Sequence, residues 1–320
     1  MNMRSATLLE PRHFRLDALD SPGPGEGEVL LRVLGCGVCG SDMGPWKGVS
    51  GLQYPMQPGA PGHEVFGRVE ALGPGVTGLA VGDPVTALSY RAYSDYDMAR
   101  AGDVVPLPPA LAGKTVLGEP LACAVNITKR WGVAEGDRVV ILGAAGFLGA
   151  LLLQLLRVPG APKPSRVVAV SRRRLPDGMA ERLGIDEYLT YDDDVRGRVG
   201  EADVVVEATG KQMPLDLGAE LTRVRGRLVI AGYHQDGSRT VNMQLWNWRG
   251  IDVINAHERD PEIYTRGMQE GVRLLASGKL DLDPLITHTF PLEDINEAFA
   301  TTEGRPDGFL KSVVLTEGGR

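Results

Sequence analysis

The chain has 320 residues, 43% hydrophobic and 23% charged, an ordinary globular composition with length enough for two domains. A formal net charge of −7 without a long basic block excludes the electrostatic footprint of a nucleic-acid binder, and no stretch approaches the ~20 apolar residues of a membrane span. Three cysteines, an odd number, argue against a disulfide framework; with no apolar targeting run in residues 1–10, the expectation is a cytoplasmic protein.

The 42 glycines and 22 prolines predict tight turns between short elements. A Pro/Gly turn at 21–27 leads into an apolar strand at 28–34 and a glycine-rich elbow at 35–40. Further strands are predicted at 65–72 and 81–88, separated by the turn-rich segment 73–82. After the prolines of 106–109 the pattern changes, and from Leu117 onward strands and helices alternate. Strand 138–142, helix 146–157, strand 166–170, short helix 178–183 and strands 203–206 and 227–231 predict a doubly wound parallel sheet, hence an α/β fold. Residues 251–255 would form the sheet's edge, where an apolar strand invites pairing with a second copy, so a homodimer is expected. The tail holds an amphipathic helix at 262–275, a strand at 285–290, a helix at 292–301 and a final strand at 311–315.

Strand 138–142 runs into Gly143, Ala144, Ala145, Gly146, Phe147, Leu148 and Gly149, which open an apolar helix. Glycines there let the backbone turn sharply and approach a pyrophosphate, whose charge meets free N–H groups and the positive end of the helix dipole. The spacing is Gly-x-x-Gly-x-x-Gly, which also suits a glycine-rich helix start that only packs. The second strand ends at Ser171, where an NAD-specific site would place an acidic residue on the ribose 2′-hydroxyl. Ser171, Arg172, Arg173 and Arg174 stand there instead, and a hydroxyl with guanidinium groups can bind a 2′-phosphate that a carboxylate would repel, which favours NADP(H). The alternative is a solvated basic turn.

Upstream lie Cys36-Gly37-Val38-Cys39-Gly40-Ser41-Asp42, then Gly62-His63-Glu64, and later Glu119-Pro120-Leu121 with Cys123. Thiolate, imidazole and carboxylate are the ligands zinc accepts in an open catalytic site, although each motif alone is weak. Together with the dinucleotide motif, the Gly82-Asp83 pair and the closing runs 284–288 and 290–293, these residues resemble the medium-chain dehydrogenase/reductase superfamily, in particular its zinc-dependent alcohol, polyol and sugar dehydrogenases. The resemblance covers nearly the whole chain. It implies a β-rich GroES-like catalytic domain (1–116), a Rossmann NADP-binding domain (117–257) and a return segment (258–320) that completes the first. It implies Cys39, His63, Glu64 and Glu119 as ligands of one catalytic zinc, Ser41 as proton carrier, and Cys36 and Cys123 as packing thiols. The substrate would be a small alcohol or carbonyl compound.

Two features depart from the family pattern. Residues 85–109 contain no cysteine, so the four-cysteine lobe that holds a second, structural zinc in many members is missing. Gly44 stands where a histidine usually extends the proton relay from Ser41. Aromatic residues Trp46, Tyr54, Tyr90, Tyr93, Trp246 and Trp248 suit packing better than a pocket wall, and His257 suits a turn cap better than a ligand contact. Open alternatives are a zinc-independent NADPH quinone or enone reductase of the same fold, an epimerase or lyase that oxidises transiently, and a non-enzymatic NADPH-binding protein.

Overall fold

The computed structural model describes residues 2–49 and 51–316. A hairpin comes first: β1 (Asn2–Glu10) and β2 (His13–Asp20) pair antiparallel, turning Ala6, Leu8 and Phe14 into the core. β3 (Glu28–Gly37) is longer than the apolar run predicted. It continues through Gly35, Cys36 and Gly37, which pair with neighbouring strands, so the turn begins at Val38 rather than at the expected elbow. After the short helix α1 (Met43–Lys47) come β4 (Glu64–Leu72), β5 (Pro84–Leu88), β6 (Tyr96–Arg100) and β7 (Val104–Pro106). β5 starts three residues later than predicted, because Val81 is 66% exposed and Gly82, at φ +94°, completes a turn instead of a ladder.

Helix α2 (Gly118–Thr128) precedes the alternating region. There β8 (Arg138–Leu142), α3 (Phe147–Leu155), β9 (Arg166–Ser171), α4 (Met179–Arg182), β10 (Glu187–Thr190), α5 (Val195–Val199), β11 (Ala202–Glu207), α6 (Gln212–Leu221), β12 (Thr222–Ile230), α7 (Met243–Arg249) and β13 (Asp252–Asn255) follow in turn. The six strands are parallel in the order β10-β9-β8-β11-β12-β13, the doubly wound dinucleotide-binding arrangement with its switch point beside β8. The predicted edge strand lies at the edge.

The tail comprises α8 (Pro261–Ala276), β14 (His288–Pro291), α9 (Ile295–Gly304) and β15 (Ser312–Leu315). Only the second half of the predicted strand at 285–290 forms, since Leu285 closes the 3-10 turn Asp283–Leu285, which holds Pro284, and pairing starts at His288. β15 lies antiparallel against β3, with Val313 opposite Gly37, and the seven-stranded sheet runs β14-β15-β3-β4-β5-β7 with β6 also on β3. The chain divides into two units, Met1–Ala122 with Asp260–Arg320, and Cys123–Arg259. In the first, Phe14, Trp46, Tyr93 and Phe299 pack ring against ring, Phe14 and Phe299 with centroids 4.7 Å apart. Among the described residues no helix is long and apolar enough to cross a membrane.

Candidate active site

Three of the predicted ligands converge where β3 ends and β4 begins. Cys39 follows β3 and caps the 3-10 turn Gly40–Asp42, its backbone N–H donating to Asp42 Oδ2 at 2.9 Å. His63 stands just before β4 and Glu64 opens it, opposite Gly37. One ligand atom from each of Cys39, His63 and Glu64 lies within 4.8 Å of the other two. Glu64 is buried and ion-paired with buried Lys311, whose Nζ is 2.7 Å from Oε1 and 2.5 Å from Oε2. Residue 37 must be glycine for this pair to fit, because a Cβ there would lie 2.0 Å from Glu64 Oε2 and 3.0 Å from Lys311 Cε. Burial pushes the Glu64 carboxyl above its ordinary pKa, with Lys311 pulling against the shift.

The orientation of His63 follows from its neighbours. Nδ1 donates to the Pro61 carbonyl at 2.9 Å and lies at ion-pair distance, 3.2 Å, from Asp42 Oδ1, so the proton belongs on Nδ1 and Nε2 offers its lone pair. Ser41 Oγ lies 3.3 Å from Nε2. Burial alone would lower the His63 pKa, but the charges of Asp42 and Cys39 outweigh it and hold the pKa well above the ordinary value. The donor cluster therefore has a negative excess that draws protons when nothing else balances it. A thiolate, an imidazole nitrogen and a carboxylate are also the donor set of an open zinc site, so the residues fit a divalent zinc.

Glu119 is not one of the three converging donors. It sits in the first turn of α2, where its carboxylate accepts a hydrogen bond from the Tyr264 hydroxyl of α8. Cys36 is buried and Cys123 half-buried. Of the aromatic residues, Trp46 and Tyr93 are core, whereas Tyr90 and Trp248 are exposed. His257 Nε2 hydrogen-bonds the Gly232 carbonyl, a contact within the dinucleotide-binding unit. Sequence reasoning gave Lys311 and Asp42 no role. A lone lysine inside the buried run 309–314 was the available signal, since a buried ammonium requires an anionic partner.

In the other unit, Gly143 leaves β8 at φ +94° and its carbonyl accepts the Gly146 N–H at 2.9 Å. A Cβ on Gly149 would lie 2.5 Å from that same carbonyl, so the loop closes this tightly only with glycine there. Gly146 caps α3, so Phe147, Leu148 and Gly149 form its first turn, the positive end of the helix dipole. Ser171 ends β9 and is buried, Arg172 and Arg174 are exposed, and Arg173 Nη2 donates to the Ala145 carbonyl in the glycine loop at 3.2 Å. The basic turn and the glycine loop are thus joined.

Residues 25–95 match the alcohol dehydrogenase GroES-like domain family, and residues 148–273 the zinc-binding dehydrogenase family. Sorbitol dehydrogenase of Gallus gallus is 30% identical over 91% of this chain and 90% of its own length. The chain belongs to the zinc-type medium-chain alcohol and polyol dehydrogenases. D-arabinitol dehydrogenase 1 of Uromyces fabae is 28% identical over 90% of each chain. The solved structure of a thermostable alcohol dehydrogenase from Pyrobaculum aerophilum superposes with a TM-score of 0.83 at 25% identity, covering 98% of this chain and all of that one. As a medium-chain dehydrogenase the protein is an oxidoreductase acting on alcohols.

Proposed function

We propose that the protein is a zinc-dependent polyol or secondary-alcohol dehydrogenase with a single catalytic zinc, working with NADP(H). The convergence of Cys39, His63 and Glu64 within 4.8 Å carries this reading. The names of the sorbitol and arabinitol relatives favour a polyol, and the Ser171-Arg172-Arg173 turn favours the 2′-phosphate. Cys39, His63 and Glu64 would hold the zinc, which would supply Lewis-acid stabilisation of negative charge on the substrate oxygen.

The chain's own residues do the rest. Asp42 and the Pro61 carbonyl keep the His63 lone pair on Nε2, and Lys311 offsets the Glu64 charge so that the donor set can assemble in a buried place. Ser41, beside that same nitrogen, relays the alcohol proton on oxidation, accepting it as its own hydroxyl proton passes to water, and runs the relay in reverse on reduction. The missing relay histidine at Gly44 leaves Ser41 to exchange its proton with water.

Metal analysis with steady-state kinetics tests this. The expected result is about one zinc per chain, NADP⁺-dependent oxidation of a polyol in a panel of sugar alcohols and secondary alcohols, and loss of both metal and activity in Cys39→Ala. Full turnover with no bound metal would overturn it and favour the zinc-independent reductase.

A further inference from the structure

Tyr93 is fully buried, yet its ring carries a hydroxyl into the core beside the metal donors. That hydroxyl donates to Asp42 Oδ2 at 2.7 Å and lies 3.2 Å from the Gly37 carbonyl. Oδ2 also accepts the Cys39 N–H, leaving Oδ1 directed at His63 Nδ1, 3.2 Å away. The backbone pins Tyr93 against the ligand-bearing segment: Tyr93 N donates to Gly59 O and Ala92 N to Gly62 O, both at 3.1 Å. A Cβ on Gly62 would lie 2.7 Å from Tyr93 N, so only a glycine before His63 permits this approach.

A carboxylate behind a metal-binding imidazole fixes the ring and raises its basicity, but a buried aspartate does so only while its own oxygens are held. Here the holder of Oδ2 from outside the turn is a phenol, placed by the strand connection between β5 and β6. We propose that Tyr93 is a positioning residue for the metal site: its hydroxyl locks Asp42, whose Oδ1 charge faces His63 Nδ1 and, with the Pro61 carbonyl that accepts the Nδ1 proton, keeps the ring presenting Nε2 to the cation. This rests on the zinc-site reading above. Tyr93→Phe removes one oxygen and leaves the ring in place against Phe14 and Phe299.

The test compares zinc affinity, by chelator competition, and the visible absorption of the cobalt(II)-loaded protein for the parent, Tyr93→Phe, Asp42→Asn and Phe299→Leu. Asp42→Asn is expected to weaken zinc about 10–100-fold, the range typical for loss of an outer-shell partner. Tyr93→Phe should move affinity in the same direction, about threefold or more, and shift the cobalt bands. Phe299→Leu disturbs the same ring cluster without touching Asp42, so it should lower the unfolding midpoint while leaving affinity and spectrum unchanged. If Tyr93→Phe binds like the parent while Asp42→Asn does not, or if Phe299→Leu weakens metal as much as Tyr93→Phe, the proposal is overturned and Tyr93 only packs. A parent that binds neither metal in excess overturns the zinc-site reading itself, and this inference with it.

Discussion

Lys311 shows how one residue can decide whether a buried donor set is tolerable. Glu64 is 1% exposed and Lys311 4%, so each charge has lost nearly all of its hydration and depends on the other. Burial works against the Lys311 ammonium, but the charges of Glu64 and Cys39 win and its pKa lies above the ordinary value. Lys311→Met should therefore strand a carboxylate in the core and cost about 3 kcal/mol in urea unfolding of metal-stripped protein. The loss should shrink when zinc is added, because the cation supplies the missing positive charge. In a double-mutant cycle, Glu64→Gln with Lys311→Met should recover most of the stability of the single lysine variant. Equal losses with and without zinc would separate the pair from the metal.

At the scale of elements, the proposed use of NADP(H) makes the end of β9 the place where the charge met by the cofactor ribose is set. Ser171 is buried there, and Arg173 ties the following turn to the glycine loop. Ser171→Asp should repel a 2′-phosphate and accept a 2′-hydroxyl, raising KM for NADP⁺ by about tenfold or more and lowering it for NAD⁺. Unchanged KM values for both cofactors would place recognition elsewhere. This strand and β8 were legible as short apolar runs, and the opening of α3 because the run of β8 ends in glycines spaced Gly-x-x-Gly-x-x-Gly before an apolar helix. β10 was hidden because Glu187–Thr190 is an edge strand in which only Leu189 is fully buried, so no apolar run announces it. α6 was obscured by Pro214, which its first turn accommodates because N–H groups there have no helical partner. The metal donors could be read from their motifs, but their supports could not. Lys311 reaches Glu64 across 247 positions only because β15 pairs with β3, and that register is a property of the assembled sheet.

For the whole molecule, β13 ends the six-stranded sheet, with a partner strand on one side only among the described residues. This strand pairs with β12 on one side, while its other side is the edge of the six-stranded sheet. Val253 is 37% exposed, and the helix just before it carries Trp248 at 86% and Met243 at 52% exposure. An edge of this kind, without proline and with exposed apolar neighbours, is a template for another strand. A second copy fits it best, because two β13 strands related by a two-fold axis run antiparallel and satisfy each other's free backbone groups with the same residues from both sides. The expected mass by light scattering is therefore twice the 34.3 kDa of one chain. Val253→Lys should bring like charges together at the seam and shift the mass toward the monomer. Zinc content should stay at the parent level, since the three donors lie in the other unit. A parent that is monomeric at micromolar concentration would show that β13 is left unpaired. A variant that stays dimeric would move the interface away from this edge.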